Sequence, residues 1–184
     1  MPEDPAPVPY VDREPALTRV AASDQIVAQT LEGLFVYLGE DGAHHLRPIH
    51  APTLHLGWRP DRQPGDVVVG AGRRYGLTPL LVHSTSWRYE GSRLILTYVA
   101  AMRPPEEIPE WLRDEPVRRA DLARGDAMGP PVAIDVEQVL EHAFRHLAWL
   151  VKDDAAVRDA LPDWHGYLAD YEPEPFRSFG APTG

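Results

Sequence analysis

The densest run of reactive side chains is His83-Ser84-Thr85-Ser86-Trp87-Arg88, which sets a base, three hydroxyls, an aromatic plate and a guanidinium side by side. A hydrolase would take one hydroxyl as nucleophile and His83 as its base. Neighbours on a strand face opposite ways, so His83 cannot serve Ser84 directly, and no Gly-x-Ser-x-Gly elbow is present. Binding suits the run better. Period-two alternation puts Ser84, Ser86 and Arg88 on one face, able to hold a polar or anionic ligand, with His83, Thr85, Trp87 and Tyr89 packing or stacking on the other. The competing reading is a buried strand whose hydroxyls satisfy neighbouring backbone.

His142 and His146 stand four residues apart, a spacing that places both imidazoles on one side of a helix, as helical metal sites require. Glu141 precedes the first of them, so the His-Glu-x-x-His order is absent. They sit at the edge of an apolar face beside Trp149, which suits packing as well as a pocket rim. His44, His45, His50 and His55 form a second concentration, for which structural roles are expected. An approach of His50 or His55 to His83 would make a metal or acid/base site there. No metal is required by these patterns, although a divalent ion is compatible with them. The candidates for catalysis are His83, His142 and His146.

The elements that must position these residues follow from composition and period. With 43% hydrophobic and 25% charged residues, the 184-residue chain matches one globular domain with tails. Its formal charge of -10 opposes phosphate backbones and anionic lipid, so neither nucleic acid nor membrane is an expected partner. There is no cysteine, which removes disulfides and thiolate chemistry. The acidic, proline-rich start lacks the pattern of a secretory signal and no apolar run is long enough for a span, giving a cytoplasmic expectation.

Residues 1–22 read as a proline-rich arm, 23–172 as one α/β domain and 173–184 as a tail. From Asp24 to Gly39, Ile26, Val27, Leu31, Leu34, Phe35 and Leu38 recur at helical spacing, which predicts a helix capped by Asp24. The rival reading ends the helix near Gly33 and makes LFVYL a strand turning at GEDG into HHLRPI, favoured by Phe35, Val36 and Tyr37. TLHLGW alternates as a short strand. DVVVGAGRRYGL carries helix punctuation, with Asp66 as N-cap and Gly76-Leu77 after the end. Residues 80–102 form two β-rich runs about Glu90-Gly91-Ser92, a hairpin expected at the centre of a mixed, helix-covered sheet. The run 103–131 reads as mostly loop. Asp135 opens the clearest helix, with Gln138 completing a capping box, and two short helices follow at 155–161 and in DWHGYLADY.

The succession of a helix ending in Gly76-Leu77, the strand LLVHSTSW and its partner RLILTYVAA resembles the stretch after the Nudix box in Nudix hydrolases, over roughly residues 66–102. That box reads Arg-Glu-aliphatic-x-Glu-Glu-x-Gly-aliphatic, and its glutamates bind the metals that activate water on a diphosphate. Aligned on Gly76-Leu77, Val69-Gly70 replace the Arg-Glu pair and Arg73-Arg74 the Glu-Glu pair. The resemblance implies a Nudix-like α/β fold with a degenerate box and without the usual pyrophosphohydrolase activity. Arg73 and Arg74 would contact phosphates directly. Ligand-binding candidates are thus Arg73, Arg74, Ser84, Ser86, Trp87 and Arg88, for a small polar or phosphorylated, nucleotide-type molecule. The alternatives are a His-dependent, metal-bearing hydrolase and a protein-interaction module or homodimer.

Overall fold

The computed structural model describes residues 28–90, 93–122 and 134–175. Among them, six strands form one mixed sheet: β1 (Ala28–Gly39), β2 (Gly42–Pro48), β3 (Leu54–Gly57), β4 (Pro79–Glu90), β5 (Arg93–Met102) and β6 (Leu112–Pro116). The order is β4-β5-β1-β2-β6, and β3 pairs β1 beside β2. Only β1 and β5 run parallel, with Ala28↔Arg93 through Tyr37↔Met102 in register. Four helices complete the described elements: α1 (Pro64–Arg74), α2 (Val136–Asp153), α3 (Ala155–Ala160) and α4 (Trp164–Leu168). The class is therefore α+β.

Alternation along β1 divides the core into two layers. Leu31, Phe35 and Tyr37 join Leu56, Val68, Ala71, Ala100 and Met102 under α1. Leu34 and Val36 join Val99, Ala101, Leu140, Phe144, Leu147 and Trp164 under α2 and α4. No helix among the described residues is long and apolar enough to cross a membrane.

Three expectations need correction. Residues 28–39 are strand, not helix; the rival reading describes the turn, β2 and the Leu34–Leu38 half of β1, but its helix up to Gly33 is strand as well. A strand covered on both faces is apolar at odd and even positions alike, so its pattern mimics a helical period. Gly42, with φ 129°, takes the chain back after Glu40 and Asp41. Secondly, β4 is the end strand of the described sheet and the middle belongs to β5 and β1, so the hairpin ladder from Pro79↔Met102 to Glu90↔Arg93 is central in one arm only. Thirdly, the 103–131 run contains β6, which pairs β2. Leu112 is its one buried residue, and the exposed Arg113, Asp114 and Glu115 suit an edge strand whose sequence carries no apolar alternation. The arm at 1–22, the Asp24 cap, residues 123–131 and most of the tail lie outside the described residues.

The N-cap expected at Asp66 falls instead on Gln63, because Pro64 with its fixed φ opens α1, and Asp66 lies within the first turn, where a carboxylate still favours the helix. Its end follows the punctuation: Leu77 N–H bonds Gly72 O at 2.9 Å and Gly76 N–H bonds Arg73 O at 3.1 Å, with Gly76 at φ 73°. α2 opens as its sequence implies, Gln138 Oε1 accepting from Asp135 N–H at 3.1 Å.

Candidate functional site

β4 pairs Ser84 with Tyr98 and then Ser86 with Thr97, leaving Thr85 as an extra residue in a β-bulge. The bulge inverts the alternation. His83 lies opposite Val99, Ser86 opposite Thr97 and Arg88 opposite Ile95, so all three share the sheet face under α2. Trp87 and Tyr89 lie opposite Leu96 and Leu94, on the α1 face, where they meet edge to face at 5.8 Å and are about half exposed. The predicted split of the run into a hydroxyl-and-Arg face and a His-and-aromatic face is therefore replaced. His83 stands with Ser86 and Arg88, while exposed Ser84 stands with the aromatics.

On the α2 face, His55, Glu32, Thr97 and Ser86 form a polar row across β3, β1, β5 and β4. Glu32 is 2% exposed. Arg88 holds it with both terminal nitrogens, at 2.6 and 2.8 Å, Thr97 donates at 2.8 Å and Thr53 at 3.1 Å, and His55 stands 3.7 Å away. Burial alone would raise the Glu32 pKa, but the bonds from Arg88, His55 and Thr97 outweigh it and hold the group well below the carboxylate range. Arg88 also donates Nε to Glu90 at 3.0 Å. Its guanidinium is committed to protein acceptors rather than turned toward a ligand.

Two of the three candidate histidines meet. His83 Nε2 and His146 Nε2 are 3.1 Å apart and their rings stack at 5.1 Å. His146 Nδ1 lies 3.4 Å from the Glu174 carbonyl, which can only accept, so Nδ1 carries the hydrogen and Nε2 accepts from His83. Burial lowers the pKa of both rings, and His83 lowers that of His146 further. His142 is placed elsewhere, giving its Nε2 hydrogen to the carbonyl of the bulge residue Thr85 at 3.2 Å. Among the described residues no group of three or more His, Asp or Glu is disposed to hold a metal ion. In the second concentration, His44 stacks on Tyr37 at 5.2 Å, and His45 points to the opposite face with 3% exposure. Burial pushes the His45 pKa down to about 4. His50 follows β2 in a turn, and His55 joins Glu32 rather than His83.

An open groove of about 370 Å³ runs between α1 and the outer edge of β4. Gly65, Asp66, Val69 and Arg73 form one stripe of α1 along it, and Pro79, Leu80, Leu81 and Val82 form the other wall. α1 comes close to the sheet because residue 72 is glycine: a Cβ there would stand 3.3 Å from the Phe35 ring. Arg73 faces the groove, whereas Arg74 does not line it. Neither Asp66 nor Arg73 enters a side-chain hydrogen bond or ion pair among the described residues.

Sequence reasoning missed Glu32, Thr53 and Thr97, and also Glu141. Glu141 is 1% exposed and is bound by Arg119 at 2.8 and 3.0 Å and by Arg145 at 2.8 Å. For Glu32 the available signal was a lone acid in an otherwise apolar run, where a carboxylate needs a cation from elsewhere in the chain, and for Glu141 it was Arg145 four residues on along the same helix. No family model matches the chain, and no curated protein matches it.

Proposed function

We propose that this chain is a Nudix-like binding domain with a degenerate box, holding a small polar molecule by its anionic group in the groove between α1 and β4. The supporting observation is Arg73, a guanidinium that lines a ligand-sized groove and is engaged by no carboxylate among the described residues. Arg88, Arg119 and Arg145, by contrast, are consumed by buried glutamates. In the Nudix alignment Arg73 takes the place of a metal-binding glutamate, so an anion would meet the cation directly, without a bridging metal. Among the described residues Asp66 is the one carboxylate in the groove lining, too few for the box chemistry.

A thermal-shift panel of inorganic phosphate, nucleotides and small carboxylates tests this. A binder at 100 times its Kd stabilises the fold by about 2.7 kcal/mol. The shift is expected to vanish in Arg73→Ala and to persist in Arg74→Ala. Magnesium-dependent cleavage of a nucleoside diphosphate derivative that survives Asp66→Asn would contradict the reading.

A second reading rests on the 3.1 Å approach of His83 to His146, which suits a His-dependent site. Metal analysis of untagged protein separates the two, because a stoichiometric transition metal lost in His83→Ala would favour the histidine site.

A further inference from the structure

We infer that the molecule taken by the groove is a short peptide of three to four residues, bound in extended form along β4 with its ammonium group at Asp66 and its carboxylate at Arg73. This rests on the reading of Arg73 as an anion anchor and names the class of ligand it serves. Asp66 and Arg73 are seven residues apart on one stripe of α1, which places them about 10.5 Å apart along the helix axis. A single polyphosphate would meet repulsion at the Asp66 end, whereas a dipolar ligand satisfies both ends. An extended chain rises about 3.3 Å per residue, so three residues span that separation between their termini.

The opposite wall supplies the second requirement of a peptide. Four consecutive residues, Pro79 to Val82, line the groove. Leu80 is an extra residue between Pro79↔Met102 and Leu81↔Ala101, and beyond this irregularity Leu81 and Val82 face opposite sides of the sheet, so lining residues from both faces put the backbone edge of the strand in the wall. Among the described residues no strand pairs the outer side of β4. Beyond Pro79, which brings a carbonyl but no N–H, the outward main-chain groups of Leu81 and Val82 can meet an added strand, the mode in which main-chain bonds give affinity, while Asp66 and Arg73 would set its direction. Val69, between the two charges on the stripe, offers an apolar contact for the middle of the peptide.

The test is calorimetric titration of the full chain with trialanine and tetraalanine, their N-acetylated and C-amidated forms, trialanine N-methylated at its central amide, and inorganic phosphate and ADP. Free trialanine or tetraalanine is expected to bind. Acetylation should weaken binding at least tenfold in the native chain and little in Asp66→Asn, and amidation at least tenfold in the native chain and little in Arg73→Ala. N-methylation should weaken binding to all three proteins. Both substituted residues are exposed, and an unchanged melting temperature without ligand confirms that the variants fold. Peptide binding indifferent to capping, or none, overturns the inference. If phosphate or ADP then binds in an Arg73-dependent way, the anion-anchor reading survives alone. If no anion binds, both fall.

Discussion

The polar row under α2 and the groove beside α1 contain the same kinds of side chain, an arginine and a carboxylate, in opposite circumstances. In the row, Glu32 is buried and every terminal nitrogen of Arg88 is met by an acceptor. In the groove, Asp66 and Arg73 are exposed, lie two helical turns apart and meet no side-chain partner among the described residues. Charges that neutralise one another hold strands together, and charges held apart remain available to a third molecule. The richest chemistry in the sequence, the run around Arg88, thus belongs to the scaffold, while the sparser helix carries the candidate site.

The comparison breaks most visibly at Glu32. Glu32→Ala leaves the mostly buried Arg88 with the exposed Glu90 as its carboxylate partner among the described residues, and a loss of about 3 kcal/mol, the low end for a broken buried pair, is expected in denaturant unfolding. Glu32→Leu with Arg88→Met should recover most of it, because removing both charges also removes the desolvation cost. Acid should act on the same face. The His45 pKa lies at about 4 in the fold, with burial as the main cause, against an ordinary value of 6.5. The unfolded chain therefore takes the proton first, and stability present above pH 6.5 is lost as pH falls toward 4, by about 3 kcal/mol. His83 and His146, also lowered by burial, act in the same direction. Glu32, with its pKa depressed, adds a second loss that begins only below the ordinary carboxylate value of 4.5. Unfolding free energies measured from pH 8 to 3 should show the two windows, and His45→Phe should flatten the upper one.

Gly76→Ala forces a side chain into the left-handed region that ends α1, and about 1 kcal/mol of destabilisation is expected by thermal melting. The smallest effect on stability belongs to the groove. Arg73→Ala should change the unfolding free energy by no more than about 0.5 kcal/mol, the usual range for surface positions, while removing ligand-induced stabilisation.

What the sequence made legible was local. The α2 capping box, the Schellman end of α1 and the β4–β5 pairing are each written within a few residues, and each is found. The meeting of His83 with His146 was legible only as a set of candidates, since it depends on α2 crossing β4. The burial of Glu32 against Arg88 joins residues 56 positions apart and has no local signature beyond an acid in an apolar run. The Thr85 bulge has none either. Nothing in HSTSWR announces an extra residue, so an alternation read without it assigns every later side chain to the wrong face.

The parallel pairing of β1 with β5 has a consequence for how the chain is made. β1, β2 and β3 form an antiparallel group from residues 28–57, but the other edge of β1 waits for residues 93–102. At roughly 5–20 residues per second of synthesis, that edge stands open for several seconds, an apolar template for any neighbouring strand. Glu32 sits in the middle of it, and its cation, Arg88, is delivered by the same hairpin that closes the gap. Until then an unpaired carboxylate discourages wrong partners, so the acid that later secures the sheet first serves as its gatekeeper.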